Sequence, residues 1–246
     1  MKTLWAQPSD DLALASNQVD VWRVSISDFA PDSVRWMESI LSSDEIKRAD
    51  RFHFKADRHR FVVSHASLRD ILSRYLYRSP QDIEFAISEH GKPVISPQSH
   101  LDFNLSHSGD FALIAIANGL KVGVDVEKHR LDMEHEKIAQ RFFSDEEKSE
   151  LRELPDDQKM AGFFNCWTRK EAYIKAHGLG LLLPLDGFDV SLRPNEPAIL
   201  RATRPDTQEA SRWTLLSLHV NPDHTGAVSV EGKDLEFRLW DWDPTQ

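Results

Sequence analysis

Short stretches of the chain are either continuously apolar or alternate between apolar and polar residues, as the residues of β-strands do. Glycine, proline and asparagine residues, which favour turns, separate most of these stretches. The pattern therefore predicts strands over residues 19–26, 83–88, 101–105, 111–117 and 122–127, and again over residues 187–192, 213–220, 227–230 and 235–240.

Between the predicted strands at residues 19–26 and 83–88, apolar residues recur three or four positions apart, which is the spacing of a helix with one buried face. A first helix is expected to begin at Ser42 or Ser43 and to run to about residue 54. A second helix is expected to begin at Asp57 and to end at Ser79-Pro80, because the residue before a proline disfavours helical geometry.

A longer helical region covers residues 134–177, with breaks at Ser144 and Pro155. Gly178 follows it, and glycine is the residue that most readily takes the left-handed conformation at the C-terminal end of a helix. The order of elements is thus strand, helix, strands and then helix, strands. This order predicts an α+β fold made of two halves of similar length, joined near residue 121.

The 246 residues include 30 Lys and Arg against 40 Asp and Glu, a net charge of −10, and 40% are hydrophobic. This composition is typical of a folded soluble protein rather than a disordered chain. Residues 1–121 hold 14 basic and 16 acidic side chains, a net of −2, and residues 122–246 hold 16 and 24, a net of −8. Nucleic-acid binding is not expected, because a globally acidic protein repels phosphate.

One basic run lies within the nearly neutral first half. It comprises Lys47, Arg48, Arg51, Lys55, Arg58 and Arg60. Such a run is either the solvated face of a helix or a site for one compact polyanion, such as a nucleotide.

The longest apolar stretch, residues 111–117, is far shorter than the roughly 20 residues that span a bilayer, so no membrane insertion is expected. Residues 1–10 lack the apolar core and the cleavage site of a secretory signal. The single cysteine, Cys166, excludes an intrachain disulfide and is expected to be a buried core thiol. A reducing cytoplasm is the expected compartment.

The strand Val122-Gly-Val-Asp-Val-Glu127 places two carboxylates on one face, because residues two apart on a strand point the same way. Asp125 and Glu127 would repel each other there unless a cation or a shared proton neutralises them. Mg²⁺ is a natural partner for such oxygens. The alternative is a polar face at the edge of a sheet.

A third acid lies on the helix that follows. Glu171 shares one helical stripe with Phe164, Trp167 and Ile174, where a buried carboxylate without a partner is costly. It either pairs with Lys175 one turn later or serves as a third carboxylate for a metal, which leaves Lys175 to bind an anion.

The segment Phe103–Gly109 ends a strand and offers hydroxyl and imidazole donors to a phosphate through Ser106 and His107. A serine-hydrolase interpretation fails, because adjacent residues of a strand point apart and no G-x-S-x-G turn is present. Upstream, the turn His90–Pro93 is expected to display Lys92 to solvent.

In combination and in this order, the segments GKP, FNLSHSG, GVDVE and WTRKEAYIKAHGLG resemble the 4′-phosphopantetheinyl transferases of the larger, Sfp-type branch. The resemblance covers Ser42 to Leu192 and includes Ala56–Arg60, Arg141–Ser144 and Leu183–Asp189. It implies two similar α/β subdomains in one chain, related by a pseudo-twofold axis, with the active site at their interface. Residues 1–121 would contact coenzyme A, and residues 122–246 would supply the metal carboxylates and the docking surface.

The resemblance also implies the activity. Family members move the phosphopantetheine arm of coenzyme A onto a serine of an apo acyl or peptidyl carrier protein and release 3′,5′-ADP. The branch acts as a monomer in the cytoplasm. Which carrier protein is modified, and in which pathway, stays open.

Carried over to this chain, the resemblance assigns Asp125, Glu127 and Glu171 to Mg²⁺, with Mn²⁺ as an alternative. Contacts to coenzyme A are assigned to Arg48, Arg60, Gly91, Lys92, Pro93, Ser106, His107 and Lys175. Lys175 would also stabilise charge on the leaving group. Glu45 stands where the family has a second base, a loss that Arg51 or Lys47 would offset.

The attacking serine belongs to the carrier, so a base must take its proton. Glu171, directly or through a metal-bound water, and Glu147 are the candidates that the resemblance gives. Glu147 is also the third residue of a helix that Ser144 would cap, and both roles stay open. The apolar residues 131–133 and 142–143 would form the docking surface for the carrier, flanked by a few bases.

Two other functions use the same residues. A metal-dependent phosphodiesterase would cleave coenzyme A or nucleotides without any protein acceptor. A non-catalytic module would bind coenzyme A without turning it over. We carry both as alternatives.

Overall fold

The bounds of the elements come from a computed structural model, which describes residues 4–8, 12–30, 34–130 and 134–244. The helices are α1 (Arg35–Ser39), α2 (Ser43–Ala49), α3 (Lys55–Leu76), α4 (His135–Phe142), α5 (Asp145–Glu153) and α6 (Asp156–His177). The strands are β1 (Gln18–Ser25), β2 (Glu84–Ile87), β3 (Pro93–Ser96), β4 (Leu101–Ser108), β5 (Phe111–Asn118), β6 (Val122–Lys128), β7 (Phe188–Val190), β8 (Leu200–Thr203), β9 (Trp213–Asn221), β10 (His224–Glu231) and β11 (Glu236–Asp241). The expected α+β class is confirmed.

Two sheets form the centre of the fold. One has the strand order β11-β1-β5-β4, in which β11 runs parallel to β1 and the other neighbours are antiparallel. The other has the antiparallel order β6-β10-β9. The chain changes sheets between β5 and β6, near residue 121, but its last strand returns to the first sheet.

The two sheets pack face to face through small and branched apolar side chains. On β6 these are Val122, Val124 and Val126, which meet residues of β1 and β5 such as Val21 and Ala115. The alternation of the strand therefore points the odd-numbered residues of β6 away from β1 and β5. The long helices α3 and α6, each of 22 residues, complete separate cores with the two halves.

Helix α6 lies directly against β6. The backbone of Gly123 approaches α6 so closely that a Cβ atom there would fall 2.2 Å from the carbonyl oxygen of Ala172 and 2.2 Å from the amide nitrogen of Ala176. Glycine is therefore the residue that lets the strand and the helix touch. Asp125 and Glu127 lie on the same face as Gly123, so this contact places both carboxylates beside α6.

Glu45 joins the first two long elements of the chain. It closes the capping box of α2 with Ser42, and its carboxylate also bonds Arg69 at 2.7 Å and His65 at 3.1 Å on α3. Burial tends to raise the pKa of this carboxyl, but the hydrogen bonds from His65 and Ser42 and the charge of Arg69 outweigh it and lower the pKa to about 2.

Most expected elements are confirmed, including the breaks at Ser144 and Pro155 and the left-handed Gly178 at φ +79°. Helix α2 ends at Ala49 rather than near residue 54, because the chain turns there to pack Phe52 on Phe61 with ring centroids 5.6 Å apart. The sequence pattern missed α1, β3 and β8, which are five, four and four residues long.

No helix among the described residues is both long and apolar enough to cross a bilayer.

Replacing Gly123 by alanine tests the contact between β6 and α6. We expect Gly123→Ala to lower the free energy of unfolding by about 3 kcal/mol, because the added methyl meets main-chain atoms that cannot move aside. Gly187→Ala is the control, since the nearest atom to a Cβ there is 3.8 Å away. Urea unfolding measures both, and equal stability of the two variants would contradict the contact.

Replacing Glu45 by glutamine tests the bridge between α2 and α3. At neutral pH we expect Glu45→Gln to lower the free energy of unfolding by about 2 kcal/mol, because Arg69 is left buried without its carboxylate. The folded protein lowers the pKa of Glu45 to about 2, so this stabilisation is present above the ordinary pKa of 4.5. It is lost as the pH falls from 4.5 towards 2.

Urea unfolding of wild type and Glu45→Gln across pH 7 to 3 checks this dependence. The difference between the two proteins shrinks as the pH falls. A difference that stays constant with pH would show that the carboxylate charge contributes nothing.

Candidate active site between the two sheets

A ladder of side chains joins β4, at the edge of the first sheet, to β6, at the edge of the second. The side chains of Asp102, Asn104 and Ser108 accept hydrogen bonds from main-chain N–H groups of β6, from Val122 at 2.9 Å, Val124 at 2.9 Å and Lys128 at 3.1 Å. The edge of β6 is therefore satisfied by side chains instead of by another strand. We call these contacts the β4–β6 ladder.

The ladder also reaches the carboxylates of β6. The Ser106 hydroxyl donates to Asp125 Oδ1 at 2.9 Å, and the Ser108 hydroxyl donates to Glu127 Oε2 at 3.0 Å. Asp125 is 3% exposed, and its second oxygen, Oδ2, is buried without a hydrogen-bond partner among the described residues. A buried carboxylate oxygen of this kind is an unused acceptor that a cation could occupy.

Glu171 reaches the same place from α6. Burial and the charge of Asp125 raise the pKa of Glu171, and Glu127 adds to the effect. Burial and Asp125 likewise raise the pKa of Glu127. The three carboxylates are thus close enough to disfavour one another's charge. Within the described ranges, however, no three His, Cys, Asp or Glu side chains form a ready ligand set for a metal ion.

Lys175 lies among these acids. Its Nζ is 2.6 Å from Asp125 Oδ1 and donates to the Ser106 hydroxyl at 3.0 Å. The expected alternative pairing of Lys175 with Glu171 is not among the ion pairs of the structure, although the charge of Lys175 lowers the pKa of Glu171. One ammonium group therefore serves a cluster of three acids.

Two adjoining cavities open beside the cluster. The first, of about 500 Å³, is lined by the turn His90–Pro93, by Glu171 and Lys175, and by the loop that follows α6. The second, of about 740 Å³, is lined by Arg48, His107 and apolar side chains of β2 and β4. Both cavities include Pro93 and Asn104 in their walls, so together they form one groove.

The structure brings most of the expected coenzyme A contacts to this groove, but Lys92 is not displayed to solvent as expected. Its side chain is 12% exposed, and its Nζ bonds Asp102 at 2.6 Å and the Val122 carbonyl at 3.0 Å. The half-buried carboxylate of Asp102 attracts it inward. Lys92 thereby ties the turn Gly91–Pro93 to the first rung of the β4–β6 ladder.

Three other residues expected to contact coenzyme A differ in how far their side chains are exposed or bound to other protein groups. Arg48 is exposed and stacks over the Phe61 ring at 5.2 Å. Arg60 is held by the Gly109 carbonyl and by Asp57, at 2.9 and 2.7 Å. Part of His107 is open to solvent along the groove, yet the atoms packed around its ring and the charge of Arg60 lower its pKa to about 4. His107 is therefore neutral at pH 7.

Glu147 is 1% exposed and lines neither cavity of the groove. It closes a capping box with Ser144, which confirms that interpretation, it accepts a hydrogen bond from Val190 N at 2.8 Å, and it forms an ion pair with Lys170, whose Nζ is 2.8 Å from Oε2. Lys170 in turn donates to the carbonyl oxygens of Leu185 and Phe188, both at 2.6 Å. The pair thus fastens the loop that forms one wall of the first cavity.

Two further expectations concern apolar residues. Cys166 is fully buried, as expected, and burial raises the pKa of its thiol. Phe142 lines the first cavity, but the expectation that Phe143 forms a docking surface is wrong, because it is fully buried against Phe163. The docking residues expected at 131–133 lie outside the described residues.

Sequence reasoning missed Asp102, Asn104, Ser108 and Lys170. The signal for the first three was the polar residue at every second position of residues 102–108, which on a strand indicates one polar face. Nothing in the sequence shows that this face meets an edge strand of another sheet. Lys170 gave no signal, since lysine is seldom fully buried.

Two family models match most of the chain. The family model described as the 4′-phosphopantetheinyl transferase superfamily matches residues 121–230, and the model described as 4′-phosphopantetheinyl transferase, N-terminal, matches residues 27–118. In a search of solved structures, the holo-[acyl-carrier-protein] synthase of Helicobacter pylori in complex with coenzyme A covers 41% of this chain and 98% of its own, at 22% identity and a TM-score of 0.32.

Curated relatives extend over nearly the whole chain. The 4′-phosphopantetheinyl transferase HetI of Nostoc sp. is 38% identical over 239 residues, which is 96% of this chain and 97% of the relative. The transferase Sfp of Bacillus subtilis is 37% identical over 80% of this chain and 84% of its own. With these matches over both halves, the chain belongs to the 4′-phosphopantetheinyl transferase family.

Proposed function

We propose that this transferase moves the phosphopantetheine arm of coenzyme A to a serine of an apo acyl or peptidyl carrier protein at the groove between the two sheets. The observation that supports this is the cluster of Asp125, Glu127, Glu171 and Lys175, of which Glu171 and Lys175 line that groove. The serine hydroxyl forms a bond to the phosphorus that bears the pantetheine arm, and the bond from that phosphorus to 3′,5′-ADP breaks.

A divalent cation fits the carboxylate cluster. The donors are all oxygens, Asp125 Oδ2 is buried without a partner among the described residues, and burial together with the charge of Asp125 raises the pKa of Glu127 and of Glu171. We propose that Asp125, Glu127 and Glu171 hold Mg²⁺, with Mn²⁺ as an alternative. When bound, the cation would neutralise charge on the pyrophosphate of coenzyme A.

Cationic side chains and the neutral imidazole of His107 orient the rest of coenzyme A. Lys175 is held by Asp125 and Ser106, so its ammonium stands where negative charge develops on the leaving group. Arg48 and His107 line the second cavity, which suits the nucleotide. Lys92 and Arg60 act through the protein contacts already described. In this proposal residues 1–121 supply the nucleotide contacts and residues 122–246 the metal carboxylates.

The proton of the attacking serine passes to Glu171. This carboxylate lines the first cavity, where the hydroxyl of a bound carrier serine would lie within its reach. Glu147 is buried, and its carboxylate contacts the Val190 amide and Lys170. We therefore infer that Glu147 positions the cavity wall through Lys170. The base is therefore Glu171 rather than Glu147.

The proposal also covers the oligomeric state, the cellular compartment and the contact with the carrier protein. Both halves of the site lie in one chain, which favours a monomer, and the single buried thiol suits the cytoplasm. The cavity-lining Phe142 would contribute an apolar contact to the carrier.

The activity is tested by the intact mass of an apo carrier protein incubated with this protein, coenzyme A and Mg²⁺. We expect a mass gain of one phosphopantetheine arm per carrier, lost when EDTA removes the metal. Release of 3′,5′-ADP with no gain on the carrier would indicate a phosphodiesterase. Binding of coenzyme A with neither product would indicate a non-catalytic module.

The assignment of the base predicts opposite effects of two conservative variants. Glu171→Gln is expected to lower kcat by about 10²- to 10⁴-fold with little change in stability, because it removes a proton acceptor at the cavity. Glu147→Gln is expected to lower the free energy of unfolding by about 3 kcal/mol, because it leaves Lys170 buried without a counter-charge. Its kcat falls far less.

Thermal melts and steady-state kinetics measure these effects. Lys159→Met is the control on α6, since the Lys159 side chain is 38% exposed and its ion pair, with Asp156, lies at the protein surface. A greater loss of kcat in Glu147→Gln than in Glu171→Gln, at equal stability, would reverse the assignment.

A further inference from the structure

We propose that Ser108 is a positioning residue for the metal site, which it serves by fixing the carboxylate of Glu127; the inference rests on the metal site proposed above. Ser108 is the last residue of β4, and its hydroxyl donates to Glu127 Oε2 at 3.0 Å. It lines neither cavity of the groove, so its direct side-chain contact with the site is the one to Glu127, beside its main-chain contact to β6 at Lys128.

The hydroxyl of Ser108 has its own orientation fixed. It accepts a hydrogen bond from the Lys128 amide at 3.1 Å, which leaves its single proton for Glu127. The residue is 8% exposed, so water does not compete freely for either contact. The oxygen thus lies between two neighbouring residues of β6, one main-chain donor and one side-chain acceptor.

The backbone of Ser108 is also held on several sides. It pairs with Phe111 in the β4–β5 hairpin, and its carbonyl oxygen lies 3.2 Å from His224 Nε2 on β10. The next residue, Gly109, takes φ +57°, and a Cβ atom there would fall 2.5 Å from the side chain of Lys128. These constraints fix where the hydroxyl points.

The side chains of the β4–β6 ladder make two kinds of hydrogen bond. Asp102 and Asn104 accept from main-chain amides of β6 and hold the strand itself. Ser106 and Ser108 donate to the carboxylates, one to Asp125 and one to Glu127. Ser106 is shared with Lys175, whereas Ser108 has no other side-chain partner than Glu127. Its loss therefore removes one of two side-chain donors to Glu127, the other being Trp167, without removing a partner of Lys175.

Glutamate has three rotatable side-chain bonds. A glutamate that is free to rotate loses conformational entropy when it binds a metal, and this loss weakens binding. Partners that orient a metal ligand typically contribute 10- to 100-fold in affinity. We therefore expect Ser108→Ala to weaken Mn²⁺ binding about tenfold, and Ser108→Thr, which keeps the hydroxyl, to restore most of the affinity.

The test is a titration of the full chain with Mn²⁺ in the absence of coenzyme A, with free Mn²⁺ followed by electron paramagnetic resonance. Ser229→Ala is the matched control, because Ser229 is a fully buried serine on β10 whose hydroxyl has no partner among the described residues. Thermal melts without metal record any effect on folding alone. Ser108→Cys, which matches serine in shape and is a weaker donor, serves if Ser108→Ala does not fold.

The proposal predicts affinities in the order wild type, Thr, Cys, Ala at position 108, with Ser229→Ala equal to wild type. Equal Mn²⁺ affinity of wild type and a folded Ser108→Ala would overturn it and leave the metal site intact. A lower melting temperature with unchanged affinity would show a structural role only. Absence of Mn²⁺ binding to the wild type would overturn the metal site as well as this role of Ser108.

Discussion

The β4–β6 ladder is the interaction on which the rest of the site depends. Edge strands of two sheets meet there, and the main-chain donors of β6 are satisfied by Asp102, Asn104 and Ser108 instead of by a further strand. An unpaired buried N–H costs about as much as a lost hydrogen bond, so the register of β6 against β4 is fixed. That register decides where Asp125 and Glu127 point.

The second constraint is the close approach of β6 to α6 at Gly123, which brings Glu171 and Lys175 to the same carboxylates. Three acids then share one ammonium group in a partly desolvated groove. Burial and the charge of Asp125 raise the pKa of both Glu127 and Glu171. In the proposed mechanism a divalent cation would neutralise these acids, whose repulsion the fold itself maintains.

Much of this arrangement could be predicted from the sequence, because it rests on local rules. Alternation on a strand placed Asp125 and Glu127 on one face, helical spacing placed Glu171 one turn from Lys175, and glycine at position 178 ended α6. What could not be predicted depends on contacts between distant elements. Lys92 turns inward because Asp102 and the first residue of β6 lie beside it, and Glu147 is enclosed because Lys170 is buried opposite to it. No spacing in the sequence encodes either contact.

The proposed mechanism requires that Asp125, Glu127 and Glu171 bind a single divalent cation beside Lys175. Anomalous diffraction from crystals grown with Mn²⁺ and coenzyme A tests it most directly. We expect one strong anomalous peak, within bonding distance of an oxygen from each of the three carboxylates and from the pyrophosphate. A peak elsewhere in the groove, or one that Glu171 does not reach, would contradict it.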